Sequence, residues 1–84
     1  MGTSTRVLCI DDDPDVIEIL TKYLVPEGYS VVGANSGDEG IKLALEQAPA
    51  LITLDIMMPK KDGWQVLREL KANDKLKDIP VIIH

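Results

Sequence analysis

The stretch Val7-Leu8-Cys9-Ile10-Asp11-Asp12-Asp13 decides the fold: an apolar run drives straight into aspartates. Aliphatic residues without polar alternation suit a strand buried on both faces, and the carboxylates then mark its C-terminal end at solvent. A second stretch, Leu51-Ile52-Thr53-Leu54-Asp55, repeats the pattern. Side by side, the two strands crowd Asp11, Asp12, Asp13 and Asp55 into one crevice. Two carboxylates about 4 Å apart repel by roughly 4 kcal/mol at an effective dielectric near 20. Such a cluster persists only with a cation or with some groups protonated. An oxygen-rich, partly hydrated site suits a hard divalent ion, Mg2+ first, and so points to metal-assisted phosphoryl chemistry.

Working outward, Arg6–Ile10 reads as the first strand. Asp13 before Pro14 is an N-cap followed by proline at the first helical position. Val16, Ile17, Leu20, Tyr23 and Leu24 form one apolar helical face, and Pro26 and Gly28 stop the helix. Tyr29–Ala34 is a second strand, less apolar and so expected near an edge. Ser36 and Glu39 have capping-box spacing. The helix they open carries Ile41, Ala44, Leu45 and Ala48 on one side and ends at Pro49. Leu51–Leu54 is the third strand, Ile56–Lys61 a loop, and Asp62 with Gln65 caps a third helix that turns Val66, Leu67 and Leu70 inward. Asn73–Asp78 is a polar connection before a fourth strand, Ile79–Ile83.

This βαβαβαβ order predicts an α/β parallel sheet. The first and third strands are the more apolar and belong adjacent at the centre, giving strand order 2-1-3-4. The chain reverses direction between them, and ligands bind at such a switch point. Right-handed crossovers put the first helix on one sheet face and the second and third on the other.

At 84 residues the chain is one small domain with a thin stability margin. A net charge of −5 argues against direct contact with nucleic acid or an anionic membrane. The single cysteine, Cys9, lies in an apolar strand and reads as a buried inert thiol. No signal peptide or membrane span is evident, and a cytoplasmic location is expected. Met1–Thr5 is expected to be a disordered leader, with the domain over residues 6–84.

Several site types are excluded by residue. A calcium loop starting at Asp11 needs glycine at 16 and glutamate at 22, where Val16 and Lys22 stand. No Gly-x-Gly-x-x-Gly follows the first strand, and there is no Walker sequence. Helix capping explains Asp13 and Asp15 but not Asp11 and Asp12, which precede the cap. Asp55 has no helix start directly after it and is the best nucleophile candidate. Met58 and Pro59 shape the loop, Gly63 permits a tight helix entry, Trp64 packs, and Lys60 and Lys61 are solvated charges. His84 reads as a strand-end side chain and not as a metal ligand.

Asp11-Asp12 after one strand, Asp55-Ile56-Met57-Met58-Pro59 after another, and then Asp62-Gly63 resemble the receiver domain of two-component response regulators. The resemblance covers almost all of residues 6–84, and its Asp-x-x-Met-Pro-x-x-Asp-Gly spacing is highly specific. It implies a flavodoxin-like sheet, whose 2-1-3-4-5 order is the family's own. It implies Asp55 as phosphoacceptor, receiving a phosphoryl group from a sensor histidine kinase, a phosphotransfer protein or a small phosphodonor. Mg2+ would be held directly by Asp12, mainly through water by Asp11, by an Asp55 oxygen and by the Met57 backbone carbonyl. The apolar Met57 side chain would border the site and modulate phosphoryl lifetime. The chain is then an acceptor and not an enzyme.

The family pattern also has a Ser or Thr hydroxyl directly after the fourth strand, a Lys ending a fifth strand, and two further helices. The 84 residues hold none of these, so the sequence is expected to be the N-terminal portion of a receiver, impaired in phosphoryl transfer and prone to self-association through its open fourth strand. A non-phosphorylated interaction or dimerisation module with the same fold is the alternative. A metal-dependent phosphohydrolase using Asp11 and Asp13 is disfavoured by Pro14 and by the better fit of Asp55.

Overall fold

Alternating strands and helices close into one α/β sheet in the computed structural model, which describes residues 5–84. The elements are β1 (Thr5–Ile10), α1 (Pro14–Leu24), β2 (Tyr29–Ala34), α2 (Gly37–Gln47), β3 (Leu51–Leu54), α3 (Gly63–Ala72) and β4 (Val81–Ile83). All strand pairs are parallel, in the order β2-β1-β3-β4, as the apolar ranking of the strands predicted. The expected leader loses its last residue to β1, because Thr5 pairs with Tyr29; the rest of it lies outside the described residues.

The core lies between the sheet and the helix pair α2–α3. Leu8, Ile10, Ile52 and Leu54 point into it and meet Ala44, Val66 and Leu70, all fully buried. On the opposite face α1 has no fully buried residue. It leaves a groove of about 360 Å³ bounded by Val16, Ile19, Leu20, Thr53, Ile82 and His84. The division of helices between faces is the one that right-handed crossovers require.

Local chemistry sets the helix ends. Asp13 Oδ1 accepts from the Asp15 N–H at 2.9 Å, and Ser36 Oγ from the Glu39 N–H at 3.2 Å. Glu39 Oε1 reaches back to the Asn35 N–H at 2.9 Å, one residue before the cap. After α1, a 3-10 turn at Val25–Glu27 leads to Gly28 at φ 95°. A left-handed Ala48 ends α2 one residue before Pro49.

The structure corrects several expectations. Tyr23 is 70% exposed and Leu45 46% exposed, so neither belongs to a buried face. In α2 the inward line is Gly37, Gly40, Ile41 and Ala44, a 3-and-4 spacing that begins earlier than the bulky residues suggest. Ile10 closes on Gly40 so nearly that a Cβ there would lie 2.5 Å from its Cδ1. The polar connection Asn73–Asp78 hides Leu76, 2% exposed, in the core. β4 begins at Val81, two residues late, because Ile79 N–H is turned back to Leu76 O and Pro80 has no N–H to donate. Trp64, expected to pack, is 52% exposed.

Candidate functional site

Pairing Ile10 with Leu54 means that Asp11 and Asp55 leave the sheet side by side. The ladder continues one step further: the Asp55 N–H donates to Ile10 O and the Asp11 N–H to Ala34 O, both at 2.9 Å. Each carboxylate is fixed by its own loop. Asp11 Oδ1 accepts from the Asp13 N–H at 2.9 Å, and Asp55 Oδ1 from the Met57 N–H at 3.0 Å. Such turns let a short acidic side chain hold its backbone and its own orientation at once.

A third group joins them. The His84 N–H donates to Leu54 O at 3.0 Å and its carbonyl accepts from the Ile56 N–H at 3.2 Å, which extends the β3–β4 ladder. His84 Nε2 stands 4.0 Å from Asp11 Oδ2. One ligand-type atom each from Asp11, Asp55 and His84 lies within 4.8 Å of the other two. The sequence reading gave His84 no place here. The signal was available, since it too is a titratable residue closing an apolar strand.

Asp11 is 3% exposed, and burial pushes its carboxyl above the ordinary carboxylate range. The Asp13 N–H opposes that rise, while Asp55 and Asp12 add to it. The folded state therefore holds this proton more tightly than the unfolded chain. The contribution favours folding below the unfolded value near 3.9 and is lost as pH rises through the raised folded value. Asp11→Asn keeps an Oδ1 acceptor for Asp13 and removes the charge. Without divalent ions it should melt at a higher temperature than wild type at pH 7, and the gap should close below about pH 4. Thermal melts across pH in EDTA check this; equal melting at pH 7 would count against it.

Asp12 is exposed and stands outside the three-residue group. The two residues expected to share the metal are thus placed differently, with Asp11 buried and Asp12 exposed. Asp11 and Asp12 follow β1 directly and Asp55 and Met57 follow β3, so all four expected oxygen donors belong to the loops at one sheet end. The buried Asp11 beside a second carboxylate fits a hard divalent cation, which would offset both desolvation and repulsion.

The loop after β3 is built around Ile56, whose carbonyl accepts from the Met58 N–H at 3.1 Å and the Gly63 N–H at 2.9 Å. The Met58 side chain, 7% exposed, anchors the loop in the core, whereas Met57 is 83% exposed at the rim. Gly63 has no room for a side chain: a Cβ there would run into Ile56 Cα and lie 2.5 Å from Asp55 O. Asp62 caps α3 by accepting from the Gln65 N–H at 2.9 Å. Pro59 helps to line a cleft of about 220 Å³ between this loop and Asn35–Asp38.

Lys61 is not the solvated charge expected. Its Nζ lies 2.7 Å from Asp38 Oδ1 and 2.6 Å from Glu69 Oε2, tying the loop to α2 and α3. Those two carboxylates hold its ammonium pKa up. Lys60, by contrast, is exposed, at φ 68°. Cys9 is free and buried as expected, and burial raises its pKa.

Residues 7–84 match the family profile of the response regulator receiver domain. The chain is 41% identical over 78 residues to the DNA-binding dual master transcriptional regulator RpaA of Synechocystis, covering 93% of this chain and 32% of that protein. It is 37% identical to Protein PilH of Pseudomonas aeruginosa, covering 93% of this chain and 64% of PilH. Among solved structures, the N-terminal domain of a response regulator receiver protein from Methanoculleus marisnigri superposes with a TM-score of 0.90 at 35% identity. That superposition covers 93% of this chain and 63% of the other. The chain thus spans about a third of the length of RpaA and under two thirds of the matched domain.

Proposed function

The chain belongs to the response regulator receiver domain family, and on that premise we propose that it accepts a phosphoryl group on Asp55 in two-component signalling. The observation that carries this reading is the pairing of buried Asp11 with Asp55 at the ends of adjacent parallel strands. An Asp55 carboxylate oxygen attacks phosphorus, the new O–P bond forms, and the P–N bond to the donor imidazole breaks with its electron pair leaving on nitrogen. Asp11, Asp12 and the Met57 carbonyl, with Asp55, would hold Mg2+. When bound, Mg2+ shields the nucleophile from the phosphoryl oxygens and steadies their charge in the transition state. The Met57 N–H orients Asp55, and the exposed Met57 side chain at the rim positions no hydrolytic water.

The donor is a sensor histidine kinase or a phosphotransfer protein, met in the cytoplasm, and the domain is an acceptor and not an enzyme. The net charge of −5 speaks against direct binding of nucleic acid. Among the described residues, no helix is long and apolar enough to cross a membrane. Incubation with acetyl phosphate and Mg2+ should raise the intact mass by one phosphoryl group, and EDTA should prevent it. A chain that stays unmodified even at saturating donor and Mg2+ would instead be an interaction module that keeps the receiver fold.

The proposal extends to self-association of the 84-residue chain. β4 pairs only with β3 among the described residues, and Ile82 and Ile83 on it are 53% and 39% exposed. An open edge with exposed aliphatic residues is a template for a second copy of this chain. Sedimentation at micromolar concentrations should show a concentration-dependent dimer; a stable monomer would overturn this part.

A further inference from the structure

The loop that leads from Asp55 to α3 is tied to two helices by one side chain. Lys61 Nζ meets Asp38 Oδ1 of α2 at 2.7 Å and Glu69 Oε2 of α3 at 2.6 Å. Its stem lies against the first turn of α2, where Gly37 makes room for it: a Cβ there would stand 2.8 Å from Lys61 Cδ. The side chain is thus only 21% exposed, although it ends in an ammonium. The residue before it opposes this arrangement. Lys60 is held at φ 68°, a left-handed conformation that a non-glycine residue keeps only where its surroundings impose it. The anchors on either side are the Met58 side chain, buried in the core, and the pinned Lys61.

Little slack chain separates those anchors from Asp55. Ile56 O collects the Met58 and Gly63 N–H groups, and the Met57 N–H beside them reaches Asp55 Oδ1 at 3.0 Å. An ion triad whose acidic members are 85% and 43% exposed adds little to global stability. A restraint that small still decides where a loop rests once a strained residue pushes against it. At a reacting group, a displacement of about 1 Å can cost about 100-fold in rate. We propose that Lys61 is a positioning residue for phosphoryl acceptance: through Asp38 and Glu69 it holds the loop after β3 so that the Met57 N–H aims the Asp55 carboxylate. This rests on the proposed reading of Asp55 as the acceptor.

Acetyl phosphate kinetics at saturating Mg2+, followed by intact mass on the wild-type chain, Lys61→Met and Lys61→Arg, test it. Lys61→Met keeps an apolar stem over Gly37 and removes the charge, whereas Lys61→Arg keeps a charge able to bridge both carboxylates. Lys61→Met should accept phosphoryl at least about tenfold more slowly, while melting within about 3 °C of wild type. Lys61→Arg should recover most of the lost rate. Amide exchange reads the loop without the chemistry: the Met57, Met58 and Gly63 N–H groups should exchange faster in Lys61→Met, with those of β1 and β3 unchanged. A Lys61→Met chain that reacts at the wild-type rate, or slows with loop exchange unchanged, would overturn the inference and leave Asp55 as the acceptor. So would a Lys61→Arg chain as slow as Lys61→Met, or a fall in melting temperature large enough to account for the lost rate. A wild-type chain that takes up no phosphoryl group would remove the acceptor reading, and this inference with it.

Discussion

Asp55→Asn should take up no phosphoryl group under conditions that modify the wild-type chain, a rate loss of at least about three orders of magnitude. The substitution removes the nucleophilic oxygen and little else. Asparagine keeps an Oδ1 acceptor for the Met57 N–H, so the turn that starts the loop survives. It also removes one of the charges that raise the pKa of Asp11, so the folded state should be at least as stable as wild type without divalent ions. Intact-mass kinetics with acetyl phosphate and Mg2+, paired with a thermal melt, separate lost chemistry from lost folding. Residual modification at a wild-type rate would move the acceptor elsewhere.

Gly63→Ala should be the most damaging single methyl in the molecule, destabilising it by about 3 kcal/mol or more. The obstruction is backbone, Ile56 Cα and Asp55 O, which cannot rotate aside as a side chain would. Relief requires moving either the start of α3 or the residue that carries the nucleophile. For a domain of this size the loss should lower the melting temperature by more than about 12 °C. A variant melting within about 3 °C of wild type would show that the loop yields more easily than its contacts indicate. Because the clash falls on Asp55 O, surviving folded protein should also be slow to accept phosphoryl.

Strand order, helix faces and the meeting of Asp11 with Asp55 were legible in sequence because each follows from apolar runs, caps and connection handedness. Register was legible for the same reason: both runs stop at aspartate, so aligning their ends aligns the site. The misreadings have physical causes. Glycines such as Gly37 and Gly40 bury a helix face without looking apolar, and so displaced Leu45 from the expected face. Leu76 was hidden by the charged residues around it. Lys61 was read by its own polarity, although Asp38 and Glu69, distant in sequence, decide its environment. His84 required the β3–β4 register, which places residue 84 one step beyond the Leu54–Ile83 pair.

The most direct measurement locates the phosphoryl group itself. Wild-type chain treated with acetyl phosphate and Mg2+ is reduced with borohydride, which converts an acyl phosphate into an alcohol, and is then mapped by peptide mass spectrometry. The account predicts reduction at residue 55 alone, dependent on Mg2+. Reduction at Asp11 or Asp12, or a phosphoryl group that resists borohydride and maps to His84, would contradict it.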